Sequence, residues 1–406
     1  MFGMTFATYI VVGCSDSVFL AGADQEKEYD GIPRADRHRA MKVLHVITSL
    51  AEGGAEHQLR LLVRRLPHDS EVVTLSRPGA VAAAMRADGT TVHELVSRGT
   101  HDMSAVGKLR QLIRLGHFDV VHTHLHRAGT QGRFAARLAG VPRVVATEYR
   151  LSAGAAGAGR PAAGIRARYL SGERFGRVTI AVSQPIADRL RDRGVPPARI
   201  AVIPKGIDAA EFRYDPALRA ATRARLGIPP DVPVVGGVGR LEPGKRFDRL
   251  IRAVGQVPGA NLLLVGDGSA RSALQRLAVI EGVADRVTFA GAVGHAREML
   301  SAMDIFASPS DQETLGLVVL EAIAAGLPAL YATCPPLEEL AGAHAAVDGA
   351  HRLSHDPESL PRALRAELLC FAERRGARLP ARSAGDRYDA ARMAASVGRL
   401  YEQIDG

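Results

Sequence analysis

The chain has 406 residues, of which 47% are hydrophobic and 23% charged, which is typical of two globular domains rather than of a disordered or membrane-embedded protein. The net charge of +9 suits anionic partners, but the low aromatic content of 5% and the absence of Trp argue against nucleic-acid binding. The three cysteines, Cys14, Cys334 and Cys370, are far apart, so they predict neither a metal site nor a disulfide framework, and favour the reducing cytoplasm.

The first 40 residues differ from the rest of the chain. Their apolar runs are short, and the first basic residue is Lys27, so the segment fits neither a secretory signal nor a membrane span. We interpret residues 1–40 as a disordered extension, or as a start assigned upstream of Met41.

From Met41 onward, short runs rich in Val, Ile and Leu alternate with helical segments. Such runs predict parallel strands that are covered on both faces, and therefore an α/β protein. The predicted strands are 43–47, 72–75, 92–95, 120–123, 144–147, 178–182 and 200–203 in a first group, and 234–238, 262–265, 287–289, 305–307 and 329–331 in a second.

A Pro-rich stretch at 228–233 separates the two groups of strands. We therefore predict two doubly wound domains, at 41–212 and 228–386, followed by a terminal helix at 387–406. Ligands of such sheets bind beyond the carboxyl ends of the strands, so the motifs that follow the strands predict one cleft between the domains.

The first such motif is Gly53-Gly54-Ala55-Glu56, after the first strand. The two glycines allow a ligand to approach the backbone where a helix begins. A purely structural βα loop remains the alternative.

Three histidines at alternate positions, His122, His124 and His126, follow Asp119 at the end of the fourth strand. A metal site would need a convergent set that includes a carboxylate or water. A structural role and a metal site both remain open from the pattern alone.

The segment 151–164 is rich in Ala and Gly and predicts a loop or lid. It leads into a basic region. Together with basic residues of the first helix, this region could bind an anionic membrane or a polyprenyl-phosphate acceptor. Solvated helix faces are the alternative. These basic residues are Arg160, Arg166, Arg168, Arg174 and Arg177, together with Arg60, Arg64 and Arg65.

Two motifs follow strands of the second group. Arg240 and Lys245 flank a turn at Pro243-Gly244, and two cations at a strand end can neutralise a diphosphate. A surface turn with solvated cations is the alternative. Gly266-Asp267-Gly268 ends the next strand and is expected to line the ligand through its backbone.

The segment from Glu313 to Glu321 combines a loop, a short apolar helix and two acidic residues, and Gly326 is expected to end that helix. The free amides at the start of the helix suit phosphates, and the carboxylates suit sugar and ribose hydroxyls. Two solvated glutamates beside a core helix would give the same pattern.

In this order the motifs resemble those of the retaining glycosyltransferases of bacterial group 1, family 4, and the resemblance extends from Met41 to the C-terminus. It implies the GT-B architecture, in which two Rossmann-like domains face each other across a cleft and the terminal helix crosses back to the first domain. It also implies that Arg240 and Lys245 bind the donor diphosphate, that Glu313 binds the transferred sugar and that His124 contacts this sugar.

The donor-binding residues implied by the resemblance are those two cations together with Gly53, Gly54, Gly266, Glu313, Leu315, Gly316 and Glu321. The chain departs from the family pattern at Tyr149, where His is common, at Lys205, where Asn is usual, and at Cys334-Pro335-Pro336, where Gly-Gly is frequent.

The resemblance thus implies transfer of a sugar from a UDP- or GDP-sugar to a hydroxyl acceptor, with no metal or other cofactor. Glycolipid, exopolysaccharide and secondary-metabolite pathways all fit, with the enzyme in the cytoplasm or at the inner face of the membrane. A sugar-nucleotide 2-epimerase and a non-catalytic GT-B partner protein remain alternatives.

Overall fold

The computed structural model describes residues 40–51, 53–99, 102–149, 170, 172–311, 313, 315–342, 347–380 and 388–404. Residues 1–39, the segment 151–164 and three of the arginines of the predicted basic region, Arg160, Arg166 and Arg168, lie outside the described residues.

The first sheet contains seven parallel strands in the order β3-β2-β1-β4-β5-β6-β7. Successive residues of a strand point to opposite faces, and both faces of this sheet are buried, as the predominantly apolar runs require. The strands are β1 (Lys42–Ile47), β2 (Asp69–Thr74), β3 (Thr91–Glu94), β4 (Val120–His124), β5 (Arg143–Glu148), β6 (Val178–Ala181) and β7 (Ile200–Val202).

Helices cover this sheet on both sides. Leu44 and Val46 of β1 pack in a cluster with α3 and α4, whereas Val43 lies in a cluster with α1. The helices are α1 (Gly54–Val63), α2 (Ala80–Ala87), α3 (Met103–Gly116), α4 (His126–Ala139) and α5 (Gln184–Asp192), with a short 3-10 turn at Pro197–Arg199.

The second sheet contains six parallel strands in the order β10-β9-β8-β11-β12-β13. The strands are β8 (Val234–Val238), β9 (Asn261–Val265), β10 (Val287–Gly291), β11 (Ile305–Ser308), β12 (Ala329–Tyr331) and β13 (Ala350–Arg352). The helices are α6 (Pro216–Leu226), α7 (Phe247–Gly255), α8 (Arg271–Ile280), α9 (Arg297–Ala302), α10 (Leu317–Ala324), α11 (Pro335–Gly342) and α12 (Ser359–Glu373), with 3-10 turns at Pro243–Lys245 and Ala284–Arg286.

The predicted fold class is confirmed: two parallel α/β sheets are present, and each of the twelve predicted strands corresponds to an observed one. Strand β13 was not predicted, because its sequence Ala350-His351-Arg352 lies at a sheet edge with two exposed polar residues and no apolar run. The predicted domain boundaries at 212, 228 and 386 stay predictions.

The last helix, α13 (Ala390–Gln403), packs on the first sheet. Its residues Met393 and Val397 share a buried cluster with Val43 and Val120, while Asp389 caps its first turn by accepting two backbone N–H bonds. Among the described residues, none of the helices combines the length and the apolar character needed to cross a bilayer.

Candidate active site

The carboxyl ends of both sheets border one cleft. The strand order reverses between β1 and β4 in the first sheet and between β8 and β11 in the second, and loops after β1, β8 and β11 line the cleft. Its volume is about 710 Å³, which is within the usual range for a small-molecule site.

The loop after β8 supplies cations to the second-domain wall of this cleft. Arg240 and Lys245 both line it. Lys245 donates to the Glu313 carboxylate, whereas Arg240 forms no ion pair with any residue that the structure describes. The guanidinium is therefore available to an anion that enters the cleft.

Gly266 permits the close approach of two loops at this wall. Its φ of +134° is unfavourable for other residues, and a Cβ atom there would lie 1.9 Å from the carbonyl oxygen of Gly239. Glycine at this position therefore lets the chain segments after β8 and β9 approach each other closely.

Helix α10 begins at the cleft. Gly316 caps it in the left-handed region with a φ of +65°, and Leu315 before it is buried in the core. Gly316, Leu317 and Val318 line the cleft, so the unpaired N–H groups of the first turn lie at the site. The predicted helix and its end near Gly326, which has a φ of +72°, are confirmed.

Two glutamates lie at the two ends of this segment, as the sequence suggests. Glu313 pairs with Lys245, and Glu321 lies one turn into α10 at the cleft surface. Burial raises the pKa of Glu321 to about 7; His295 opposes that rise and Glu211 adds to it. Glu321 is thus poised between its two protonation states near neutral pH.

The first-domain wall carries the glycine pair. Gly53 and Gly54 line the cleft at the start of α1, and the carboxylate of Glu56 folds back to within 2.3 Å of the position that a Cβ of Gly53 would occupy. The glycine therefore lets Glu56 cover the backbone at this turn.

His124 is not among the residues that line the cleft. It is fully buried, and its Nε2 lies 3.1 Å from Nδ1 of His45 while its Nδ1 lies 3.0 Å from the Tyr149 hydroxyl. The sugar contact that the resemblance implies for His124 stays a prediction, which this arrangement does not favour.

The three-histidine cluster contains His45, His122 and His124, and His126 is not part of it. His122 bonds Tyr401 and Thr147, so five of the six ring nitrogens have a hydrogen-bond partner. Burial also lowers the pKa of His45 to about 3, which keeps its ring neutral. This pattern favours a hydrogen-bonded core network over a metal site.

Glu211 and Phe212 of the site were not identified from the sequence, because they lie in the connection between the domains. Glu211 accepts a hydrogen bond from Arg64 at 2.9 Å, and its carboxylate lies 3.7 Å from Nε2 of His295. The interaction with His295 is the largest cause that lowers the pKa of Glu211 to about 2; burial opposes it, and the hydrogen bond from Arg64 adds to it. Phe212 stacks on His295 at 5.0 Å. Only the tertiary fold brings these groups together.

The basic residues in and just after α1 that suited a membrane surface each have an acidic partner. Arg60 pairs with Asp88, Arg64 with Glu211 and Arg65 with Asp208. Their charges are thus largely compensated within the protein.

Two family models match the chain. The model described as "Glycosyltransferase Family 4" matches residues 52–211, and the model described as "Glycosyl transferases group 1" matches residues 219–375.

Two curated proteins illustrate the similarity. The D-inositol 3-phosphate glycosyltransferase of Mycobacteroides abscessus is 35% identical over 230 residues, 53% of this chain and 51% of that protein. The lipopolysaccharide core biosynthesis glycosyltransferase LpsE of Rhizobium meliloti is 46% identical over 109 residues, 27% of this chain and 32% of that protein. In these alignments the chain spans about half the length of the first relative and about a third of the second.

Among solved structures, Anabaena Alr3699/HepE in complex with UDP and glucose superposes with a TM-score of 0.75 and 21% identity, covering 90% of this chain and all of that one. At this identity the match shows the shared GT-B fold.

Proposed function

Because this chain belongs to the group 1, family 4 glycosyltransferases, we propose that it transfers a sugar from a nucleoside diphosphate sugar to a hydroxyl acceptor with retention of the anomeric configuration. The observation that supports this most is the joint placement of Arg240, Lys245, Glu313, Glu321 and the start of α10 around a single cleft.

The donor diphosphate would bind between the cations and the helix start. Arg240 and Lys245 donate charge-assisted hydrogen bonds, and the N–H groups at the start of α10 supply the positive end of the helix dipole. As the bond to the sugar breaks, negative charge grows on the diphosphate, and these preorganised donors stabilise it.

The pair between Lys245 and Glu313 suggests how donor binding activates the site. A diphosphate competes for the ammonium of Lys245, which frees Glu313 to accept a hydrogen bond from the sugar. Glu321 is placed to accept from the ribose hydroxyls. The acceptor hydroxyl then attacks on the same face as the departing diphosphate, so positioning and charge stabilisation supply most of the rate.

Metal ions have no assigned part in this proposal, because the side chains of Arg240 and Lys245 and the α10 amides neutralise the diphosphate. The Anabaena structure with UDP and glucose supports UDP-glucose as the first donor to test, and the curated relatives support a polyol phosphate or a lipopolysaccharide core sugar as an acceptor.

A thermal-shift panel of UDP-, GDP-, ADP- and dTDP-sugars tests the proposal, since a ligand of the native state raises the melting temperature. The donor that binds is then incubated with acceptors, and the anomeric configuration of the product is read by NMR. Stabilisation by one nucleotide sugar and an α-linked product from an α-linked donor are expected. Epimerised sugar nucleotide without acceptor, or no nucleotide binding, would contradict the proposal.

A further inference from the structure

Lys205 is a cation that the proposed mechanism leaves unused. It follows β7 and lines the cleft from the first domain, and its ammonium lies 4.9 Å from the centre of the Tyr149 ring.

The backbone around Lys205 is held in place. The Gly206 carbonyl accepts a 2.9 Å hydrogen bond from Gln58 of α1, and the Ile207 N–H donates to the Tyr388 carbonyl at 2.8 Å. A Cβ on Gly206 would lie 2.6 Å from the Ala390 Cα, so the loop lies directly against α13. The backbone from which the Lys205 side chain extends is therefore held in a fixed position on this wall.

Other cations of the cleft are already paired. Arg60 forms an ion pair with Asp88, and Arg64 with Glu211. Lys245 pairs with Glu313. Of the lysines and arginines lining the cleft in the described part of the chain, Lys205 and Arg240 are those without an ion pair.

These two unpaired cations belong to opposite walls. Arg240 follows β8 in the second domain, where the diphosphate is proposed to bind, whereas Lys205 follows β7 in the first. Burial lowers the Lys205 pKa to about 8, and the negative charges of Glu56 and Glu313 partly offset that effect. Lys205 thus shares its surroundings with the carboxylate assigned to the sugar.

We infer that Lys205 recognises an anionic group, a carboxylate or a phosphate, that the transferred sugar or the acceptor carries next to the reacting centre. This inference rests on the proposed function and adds the substrate class to it. An anion completes the ion pair that the protein leaves open, and an uncharged sugar or acceptor would leave the ammonium unpaired in a partly dehydrated cleft.

The test measures binding by calorimetry at pH 7 in two arms. The donor arm compares UDP-glucuronate with UDP-glucose, in which a hydroxymethyl group stands in place of the carboxylate. The acceptor arm, at saturating UDP, compares inositol 3-phosphate with inositol. Both are run on the wild type, on Lys205→Met, on Lys205→Arg and on Lys108→Met, an exposed lysine of α3 that serves as the control.

In one arm the wild type is expected to bind the anionic ligand about 10-fold or more tightly than its neutral partner, which is the effect of one charge-assisted hydrogen bond. Lys205→Met abolishes this preference, whereas Lys205→Arg and Lys108→Met keep it. The arm that responds tells whether the anion is on the sugar or on the acceptor.

The inference is overturned if the wild type prefers no anionic ligand in either arm, or if Lys205→Met keeps the preference. Binding of UDP-glucose, which should be similar in the wild type and in Lys205→Met, reports separately on the proposed function. Failure to bind any nucleotide sugar of the thermal-shift panel would remove that function, whereas binding of UDP-glucose without any anion preference removes only the role of Lys205.

Discussion

The two walls of the cleft differ in how their residues are held. On the second-domain wall, Arg240, Lys245 and the start of α10 follow directly from strands β8 and β11 and lie at the cleft as the sequence order indicates. On the first-domain wall, His124 turns into the core, and Lys205 and Glu211 reach the cleft from the connection after β7. The wall proposed to bind the diphosphate is therefore recognisable from local sequence motifs, whereas the other wall depends on contacts between residues far apart in the sequence.

The largest effect is expected on the second-domain wall, from Lys245→Ala. Removing a donor to developing charge lowers the rate by about 10²–10³-fold in comparable sites, so kcat should fall to this extent. The melting temperature should change little, because the Lys245 side chain is partly exposed. Steady-state kinetics and a melting curve measure the two effects.

Arg276→Ala, which removes an exposed arginine from α8 outside the cleft, is the matched control and should leave kcat unchanged. Wild-type turnover by Lys245→Ala would show that the second-domain wall does not hold the leaving group.

Glu313→Gln tests whether the pair on this wall acts as a unit. Loss of one charged hydrogen bond to the sugar corresponds to about 1.5–3 kcal/mol, so kcat should fall roughly 10- to 100-fold. Because Lys245 and Glu313 are in contact, the loss of kcat in the double variant Lys245→Ala with Glu313→Gln should be smaller than the sum of the losses, in free energy, of the two single variants. Strict additivity in this double-mutant cycle would mean that the pair is incidental.

Glu321→Gln should weaken UDP-glucose binding about 10-fold and alter its pH dependence. The diphosphate of UDP-glucose has no ionisation near neutral pH, whereas the pKa of Glu321 is about 7 in the free protein. Ribose hydroxyls donate to the ionised carboxylate, so the wild-type affinity should rise as the pH increases through 7, with release of a proton on binding. Calorimetry in buffers of different ionisation enthalpy measures that release.

The same carboxylate should affect the stability of the free protein. Folding raises its pKa from 4.5 to about 7, so the native state binds the proton more tightly than the unfolded chain. Its contribution is complete below pH 4.5 and is lost as the pH rises through 7. Glu321→Gln should remove this decline. An unchanged pH profile in Glu321→Gln would contradict the assignment.

The smallest effect on turnover is expected in the core of the first domain, from Tyr401→Phe. This change leaves Nδ1 of buried His122 without its hydroxyl partner, so the free energy of unfolding should fall by about 1–3 kcal/mol. The kcat of the folded protein should stay near the wild-type value. A large loss of kcat without loss of stability would instead place the histidine network in the active site.

Much of the fold and the second-domain wall of the cleft can be predicted from local sequence. Apolar runs such as Val234–Val238 specify strands because both faces of the sheet are buried, and Gly316 and Gly326 mark the two ends of α10. The polar edge strand Ala350–Arg352 has no such signal. Alternate histidines on β4 indicate a shared face, but only packing against α13 decides that this face is the core.

The residues of the connection after β7 show why the remainder was not predictable. Glu211 is separated by 147 positions from Arg64 and is far from His295 in sequence, so its role depends on how the two sheets are joined. Lys205 was visible as a departure from the family pattern, yet its exposure to the cleft depends on Gln58 of α1 and on the start of α13.

The most direct test of a diphosphate site on the second-domain wall is the affinity of UDP for the wild type and for the double variant Arg240→Ala with Lys245→Ala, measured by calorimetry at one pH and ionic strength. Loss of two charge-assisted donors predicts binding weaker by about 100-fold or more in the double variant, with an unchanged melting temperature. Equal affinity in the two proteins would contradict the account.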